Sequence, residues 1–267
     1  MAKVRSELLQ HTFDLSGRPR RVVSLLSAAT ETIEALGLGE TIAGVSEYCH
    51  RYVDTTAPTV GAYTSADLDR IAEIGPDLVL VTSGVQSALG RRLAKSGHPV
   101  YALPLPSSIH GVFENILTVA ALLDAMETGR TLVESLNRRL CALGDRTRRS
   151  TYVELWFGKH LRTIGGRTFI ADIVDIAGGD ALFASSPAAY LKPDFAAVAM
   201  AAPEVMVALS EPEYPVDFPQ AIRERKWTFD PHLIVSTVAK GNNIIQDGPS
   251  IIDTIEWLAD QFDAAGS

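Results

Sequence analysis

The chain is poor in several things, and each scarcity removes a class of protein. Only two of its 267 residues are cysteines, Cys49 and Cys141, too few for a disulfide framework and suited to a reducing compartment. No stretch reaches the ~18 uninterrupted apolar residues of a membrane span. Residues 1–13 carry Lys3, Arg5, Glu7, Gln10 and His11, which leaves no apolar core of the kind an export signal needs. A cytoplasmic protein without a membrane span is therefore expected, with a periplasmic or cell-surface location as the alternative should a signal have been trimmed. Basic residues are in the minority, 24 Lys+Arg against 32 Asp+Glu for a net charge of −8. Basic clusters are as short as Arg146, Arg148 and Arg149, which argues against nucleic acid as a partner. Enzyme signatures are missing too: Ser24, Ser27 and Ser83 lie in no Gly-x-Ser-x-Gly elbow, and there is no P-loop and no His-Glu-x-x-His. Gly37-Leu-Gly39 lacks a third glycine and follows a helix. A non-enzymatic protein requiring no cofactor is expected.

What is present is an ordinary globular composition, 46% hydrophobic and 21% charged, ample for a core. Short β-branched runs at 22–26, 41–46, 78–82 and 100–103 alternate with helical patterns at 28–36, 67–74 and 85–96. The runs lack period-2 alternation, as parallel strands covered on both faces do. Two helices follow, with apolar repeats at 112–123 and 132–143, and βαβ alternation resumes at Tyr152. The divisions expected are an N-terminal extension at 1–20, an α/β lobe at 21–106, a helical linker at 107–150 and a second α/β lobe at 151–267. Thr30 and Ser27 are the capping candidates of the first helix.

The second half repeats the first. Leu68-Asp-Arg-Ile71 through Pro76-Asp77-Leu-Val matches Phe195-Ala-Ala-Val198 through Pro203-Glu204-Val-Met without a gap, at the 127-residue offset that separates Pro76 from Pro203. A helix, a Pro-acid pair and a buried strand recur in order. The same offset relates Tyr63 to Tyr190, each just before the repeated helix. In open α/β sheets, loops at strand carboxyl ends line the ligand crevice, so two facing lobes would present both tyrosines to one cleft; capping of its own lobe is the alternative for each.

Arg21-Val-Val-Ser-Leu-Leu-Ser-Ala-Ala-Thr30-Glu31, Gly44-Val-Ser-Glu-Tyr48-Cys49, Val60-Gly61-Ala-Tyr63, Leu68-Asp69-Arg70-Ile71 and Pro76-Asp77 together resemble the class III substrate-binding proteins of ABC importers, most of all the vitamin B12-binding branch. Gly165-Gly166-Arg-Thr168-Phe169, Ala177-Gly178-Gly179-Asp180 and Asp247-Gly248-Pro249 extend the resemblance to the second half. It implies an α/β fold of two Rossmann-like lobes with central parallel sheets, joined by a long backbone helix at 127–149, with a ligand cleft between the lobes. Family ligands are cobalamin, ferric siderophores and haem. Tyr48, Tyr63 and Tyr190 match aromatic residues of the corrinoid cleft, and rigid aromatic walls with polar tips suit a large amphipathic ligand. Asp69 matches one of two acids that dock on permease arginines; the second position is Ala196, with Asp194 or Glu204 as nearby substitutes.

Further candidates come from the residues themselves. Cys49-His50 pairs a thiolate and an imidazole, ligands for cobalt, iron, zinc or copper, and His50 replaces an acid common in the family. Adjacent side chains of an extended chain point apart, which counts against joint ligation. His160 follows the first strand of the second lobe and could approach the same cleft. Trp156 and Trp227 are candidate ligand walls, with core packing as the alternative. Tyr214 could form a rim, and Cys141 is expected to be buried on its helix. The leading expectation is a monomeric, intracellular binder of a cobalamin-like corrinoid or related metal chelate. The alternatives are an importer component for cobalamin, ferric siderophore or haem, with an ABC permease as partner, and a chelatase-like metal-handling protein using Cys49, His50 and His160.

Overall fold

A computed structural model describes residues 2–266. The polypeptide divides into two compact units, the first comprising Met1–Pro106 and His110–Arg138, the second Ser107–Ile109 and Arg139–Ser267.

Unit 1 contains β1 (Ala2–Ser6), β2 (His11–Leu15), β3 (Val22–Ser24), α1 (Ser27–Ala35), β4 (Ile42–Ser46), β5 (Thr59–Gly61), α2 (Leu68–Ile74), β6 (Leu78–Thr82), α3 (Ser87–Lys95) and β7 (Val100–Leu103). Nearly all of α4 (Ile109–Leu122) and the first part of α5 (Met126–Ala142) follow. Its sheet is parallel throughout, in the order β5-β4-β3-β6-β7. The continuous apolar run of β6 follows from two covered faces. Leu78 and Leu80 pack with Leu26, Ile33, Val119 and Leu123 on one side, Val79 and Val81 with Ile71, Leu89 and Leu93 on the other. β1 and β2 form an antiparallel hairpin. It belongs to unit 1 and screens the edge strand: Ser6 Oγ accepts a hydrogen bond from Ala102 N of β7 at 3.0 Å. Leu9 packs where Gly90 leaves room, a Cβ there being 3.1 Å from the leucine. Covering an edge in this way blocks pairing with another chain.

Unit 2 contains β8 (Arg149–Phe157), β9 (His160–Ile164), α6 (Phe169–Ile176), β10 (Gly179–Ala181), β11 (Tyr190–Leu191), α7 (Phe195–Ala201), β12 (Val205–Ser210), α8 (Phe218–Arg225), β13 (His232–Ser236) and α9 (Ile251–Ala264). Its strand order is β11-β9-β8-β12-β13, with β10 also on β8. β8, β10, β12 and β13 pair in parallel, while β9 and β11 are antiparallel additions. The antiparallel turn arises because Gly158, at φ 57°, and Lys159 alone join β8 to β9, a connection too short for a crossover. The helix expected at 127–149 is shorter: α5 ends at Ala142, Gly144 adopts φ 65°, and Arg149 already opens β8. Cys141 is exposed, not buried, because it lies about 100° round the helix from Leu140, and the apolar stripe turns away from it.

The repeat extends to the capping residues. Asp67 caps α2 by accepting from Arg70 N, and Asp194 caps α7 by accepting from Ala196 N and Ala197 N. Both helices end in a left-handed residue, Gly75 at φ 58° and Ala202 at φ 45°. Asp77 Oδ2 accepts from Arg20 N and Arg21 N, and Glu204 Oε2 from Ser150 N.

Candidate functional site

In unit 1 the loops leaving the carboxyl ends of the parallel strands carry the candidate residues. Tyr48 follows β4 in a 3-10 turn and Tyr63 follows β5. Their rings meet edge to face at 6.2 Å and 79°, a geometry favoured by the ring quadrupoles. The Arg51 guanidinium lies 4.5 Å from the centre of the Tyr48 ring. Tyr63 sits at the tip of a loop closed by the Gly61–Ala66 bridge; a Cβ on Gly61 would meet Ser65 O at 2.2 Å, so only glycine permits this closure.

Cys49 faces the other way. It is fully buried, its Sγ 3.0 Å from Thr30 Oγ1 and 3.2 Å from Ser46 Oγ. Burial pushes its thiol pKa up, against the hydrogen bonds from Ser46 and Thr30. Thr30 is accordingly not a helix cap: α1 starts from Leu26 with no side-chain cap, and the Thr30 hydroxyl turns inward to Cys49 and to Ser24 Oγ at 2.8 Å. His50 is exposed, with Nε2 3.0 Å from Thr59 Oγ1. The structure thus parts Cys49 from His50, and among the described residues no group of three His, Cys, Asp or Glu could hold a metal.

Sequence reasoning missed Gln86. This fully buried side chain accepts from Thr82 N at 2.7 Å and donates to Leu25 O at 2.8 Å and Tyr63 O at 2.6 Å. It ties the ends of β3 and β6 to the Tyr63 loop. The only signal for it was a lone glutamine in an otherwise small-residue turn.

In unit 2, Tyr190 meets Phe157 edge to face at 5.8 Å and 89°. Burial, and to a smaller extent the Asp247 carboxylate, push the Tyr190 hydroxyl pKa up despite a hydrogen bond with Thr168. Two pieces of the sequence motifs, Gly165-Gly166-Arg-Thr168 and Asp247-Gly248-Pro249, therefore converge on this tyrosine. Gly165-Gly166 supports it from behind: Gly165 N donates to Ala189 O and Gly166 N to Ser186 O. A Cβ on either glycine would come within 2.1 Å of a carbonyl oxygen of that loop. His160 is exposed at the start of β9, across the hairpin from Phe157. Tyr214 is exposed, with its ring 3.7 Å from where a Gly158 Cβ would stand.

Trp156 and Trp227 occupy a different place from Tyr190. Both pack on the cluster formed by Tyr152, Val198, Met206 and Phe218. At its centre the fully buried Glu154 receives Tyr152 Oη at 3.0 Å, Trp156 Nε1 at 2.9 Å and Arg225 Nη2 at 2.8 Å. The Arg225 guanidinium lies 4.5 Å from the Phe195 ring centre and 5.0 Å from that of Trp227, and Trp227 stacks on Phe229 at 5.1 Å. Burial and then the Glu154 charge raise the Tyr152 hydroxyl pKa far above its ordinary value, which keeps it a donor. Asp69 is exposed in the first turn of α2, and Ala196 is exposed at the matching turn of α7. The two nearby acids have local duties, Asp194 at the helix cap and Glu204 3.7 Å from Arg149.

Comparison with known proteins agrees with this architecture. The family described as "Periplasmic binding protein" matches residues 22–230. A cobalamin-binding protein of Halobacterium salinarum is 28% identical over 175 residues, 62% of this chain but 46% of that protein, so the chain spans less than half of its length. Among solved structures, the periplasmic vitamin B12 binding protein of Vibrio cholerae is similar with a TM-score of 0.74 at 18% identity, over 94% of this chain and all of the other. A periplasmic haem-binding protein of Pseudomonas aeruginosa gives a TM-score of 0.75 at 19% identity, over 91% of this chain and 92% of the other. The cytoplasmic location expected from the sequence is corrected by these findings, since the family and both structures are described as periplasmic. That expectation leaned on residues 1–13, of which 2–13 lie in the hairpin of unit 1 with Leu9 and Phe13 buried, so their composition reflects folding. With 22–230 covered by one family description and the same two-unit α/β architecture in solved relatives, this chain belongs to the periplasmic binding protein family.

Proposed function

We propose that this protein captures a cobalamin-like corrinoid as the substrate-binding component of an ABC-type importer, without chemically changing its ligand. The observation that carries the reading is the Tyr48–Tyr63 edge-to-face pair, displayed at the carboxyl ends of parallel strands on loops anchored by Cys49 and Gln86. Buried anchors beneath the exposed Tyr63 ring and the half-buried Tyr48 ring describe a preorganised wall, which lowers the entropy cost of binding a large flat-sided ligand. Tyr190, backed by Gly165-Gly166, supplies the aromatic of unit 2 in this proposal. The ligands named for the Halobacterium and Vibrio proteins support a corrinoid. Trp156 and Trp227 are left to the Glu154–Arg225 cluster. Asp69 is the proposed permease-docking acid.

Calorimetry and visible absorption with cyanocobalamin, haemin and a ferric siderophore test the reading. Saturable cyanocobalamin binding is expected, and Tyr63→Ala and Tyr190→Ala should each weaken it by more than about 1 kcal/mol, as aromatic anchors do. Absence of corrinoid binding refutes the proposal.

A further inference from the structure

Three exposed apolar side chains stand on three successive loops at the carboxyl edge of the unit 1 sheet: Tyr63 at 37% exposure, Val85 at 64% and Leu105 at 47%. Folding alone gives no reason for them. Val85 is β-branched in a 3-10 turn, where such residues gain little, and it follows Gly84, held at φ 73°. Leu105 lies between Pro104 and Pro106, which restrict its backbone. The loops are nonetheless fastened together. Ser83 N donates to Leu103 O at 2.8 Å, Leu105 N to Ser83 Oγ at 2.9 Å, Asn115 Nδ2 to Pro104 O at 2.9 Å and Gln86 Nε2 to Tyr63 O at 2.6 Å. Rigid backbone beneath exposed apolar groups is what a contact surface needs and a solvated loop does not.

The composition of these loops is equally specific. Gly61-Ala-Tyr-Thr-Ser-Ala66, Ser83-Gly-Val-Gln-Ser87 and Pro104-Leu-Pro106 contain no Lys, Arg, Asp or Glu, in a chain that is 21% charged. The turn after β4 does carry charge, at Glu47 and Arg51, with His50 between them. We infer that Val85 and Leu105 are specificity-determining contacts which, with Tyr63, receive an uncharged, alkyl-bearing flank of the ligand and disfavour ligands presenting carboxylates there. The strip shares Tyr63 with the Tyr48–Tyr63 pair and is tied to it through Gln86, so this inference rests on the corrinoid reading. It favours a macrocycle edged with methyl and amide groups over one edged with propionates, because a carboxylate set against Val85 and Leu105 would lose water without gaining a cation.

Val85→Asp, Leu105→Asp and Val85→Ile test this by titration with cyanocobalamin and haemin. Both positions are largely exposed, so thermal unfolding should be unchanged. Each aspartate should raise the cyanocobalamin Kd by roughly tenfold or more, the order expected when a partly buried apolar contact is lost and a charge is desolvated. Val85→Ile should stay within about twofold, since it keeps the contact apolar. Cyanocobalamin affinity unchanged in both aspartate variants overturns this inference alone. Haemin bound more tightly than cyanocobalamin by the unaltered protein overturns the preference for an uncharged flank. No corrinoid binding by the unaltered protein removes the proposed function and this inference with it.

Discussion

Glu154→Gln is the substitution whose cost the structure defines most sharply. The carboxylate is wholly buried and receives three donors, and the Arg225 side chain paired with it is only 13% exposed. Glutamine keeps the volume and one acceptor. The Tyr152 hydroxyl can turn to accept from the new amide, so the hydrogen bonds are largely recoverable. The charge is not: Arg225 would remain cationic beside the Phe195 and Trp227 rings with no counter-ion. Breaking a buried pair from one side costs about 3–5 kcal/mol, and this pair should lie in that range. Arg225→Met should cost about as much, through the carboxylate left behind and the loss of contact with the Phe195 and Trp227 rings. The double variant buries no net charge and should recover at least ~2 kcal/mol of the summed single costs. Urea unfolding followed by tryptophan fluorescence reads this directly, because Trp156, Trp227 and Trp257 all lie in unit 2. Single costs below about 1 kcal/mol, or a double variant additive to within ~0.5 kcal/mol, would show that the pair is not a desolvated unit.

Two other outcomes follow from single positions. Ala202→Gly should stabilise unit 2 by roughly 0.5–1 kcal/mol, because an L-residue in the left-handed region costs about 1–2 kcal/mol and glycine returns part of that as unfolded-state entropy; a lowered unfolding midpoint in the same fluorescence assay would contradict it. Alkylation of the native protein should label Cys141 and spare Cys49, as peptide mass spectrometry would show. Since burial raises the Cys49 thiol pKa above its ordinary 9.0, the stability it confers is complete below that pH and declines as pH rises through the folded value. Protection of Cys49 should fail on the alkaline side, and equal labelling of both thiols at neutral pH would refute the burial.

The regular elements were legible because each depends on neighbours a few residues away. The β6 run, the apolar spacing of α4 and the Pro-acid start of β6 and β12 are local patterns, and the structure has them where the spacing places them. What escaped depends on distant partners. Leu9 and Phe13 look like residues of a tail until Gly90 and the edge of β7 are seen to receive the hairpin. Trp156 reads equally as a ligand wall or a core residue, and only Arg225, 71 residues from Glu154, reveals the buried carboxylate that engages its indole. Gln86 has no periodicity at all; its role exists only because three strand ends converge on it. Cys141 is exposed for a local reason, an apolar stripe one helical step away from it.

The repeat separates what the strand-helix-strand unit dictates from what it leaves free. The caps Asp67 and Asp194, the left-handed ends Gly75 and Ala202, and the acids Asp77 and Glu204 all recur at one offset, because each satisfies backbone groups that any strand-helix-strand unit must satisfy. Tyr63 and Tyr190 share that offset but not a backbone. Tyr63 tips a loop that leaves a parallel strand, whereas Tyr190 opens β11, antiparallel to β9. Each nonetheless finds an aromatic partner edge to face, Tyr48 in one unit and Phe157 in the other. The two scaffolds thus hold similar ring pairs by different backbone routes, which the caps and strand starts do not require. Under the proposed corrinoid reading each ring pair is a ligand contact of its own unit, and the separate Tyr63→Ala and Tyr190→Ala affinities test that on each scaffold.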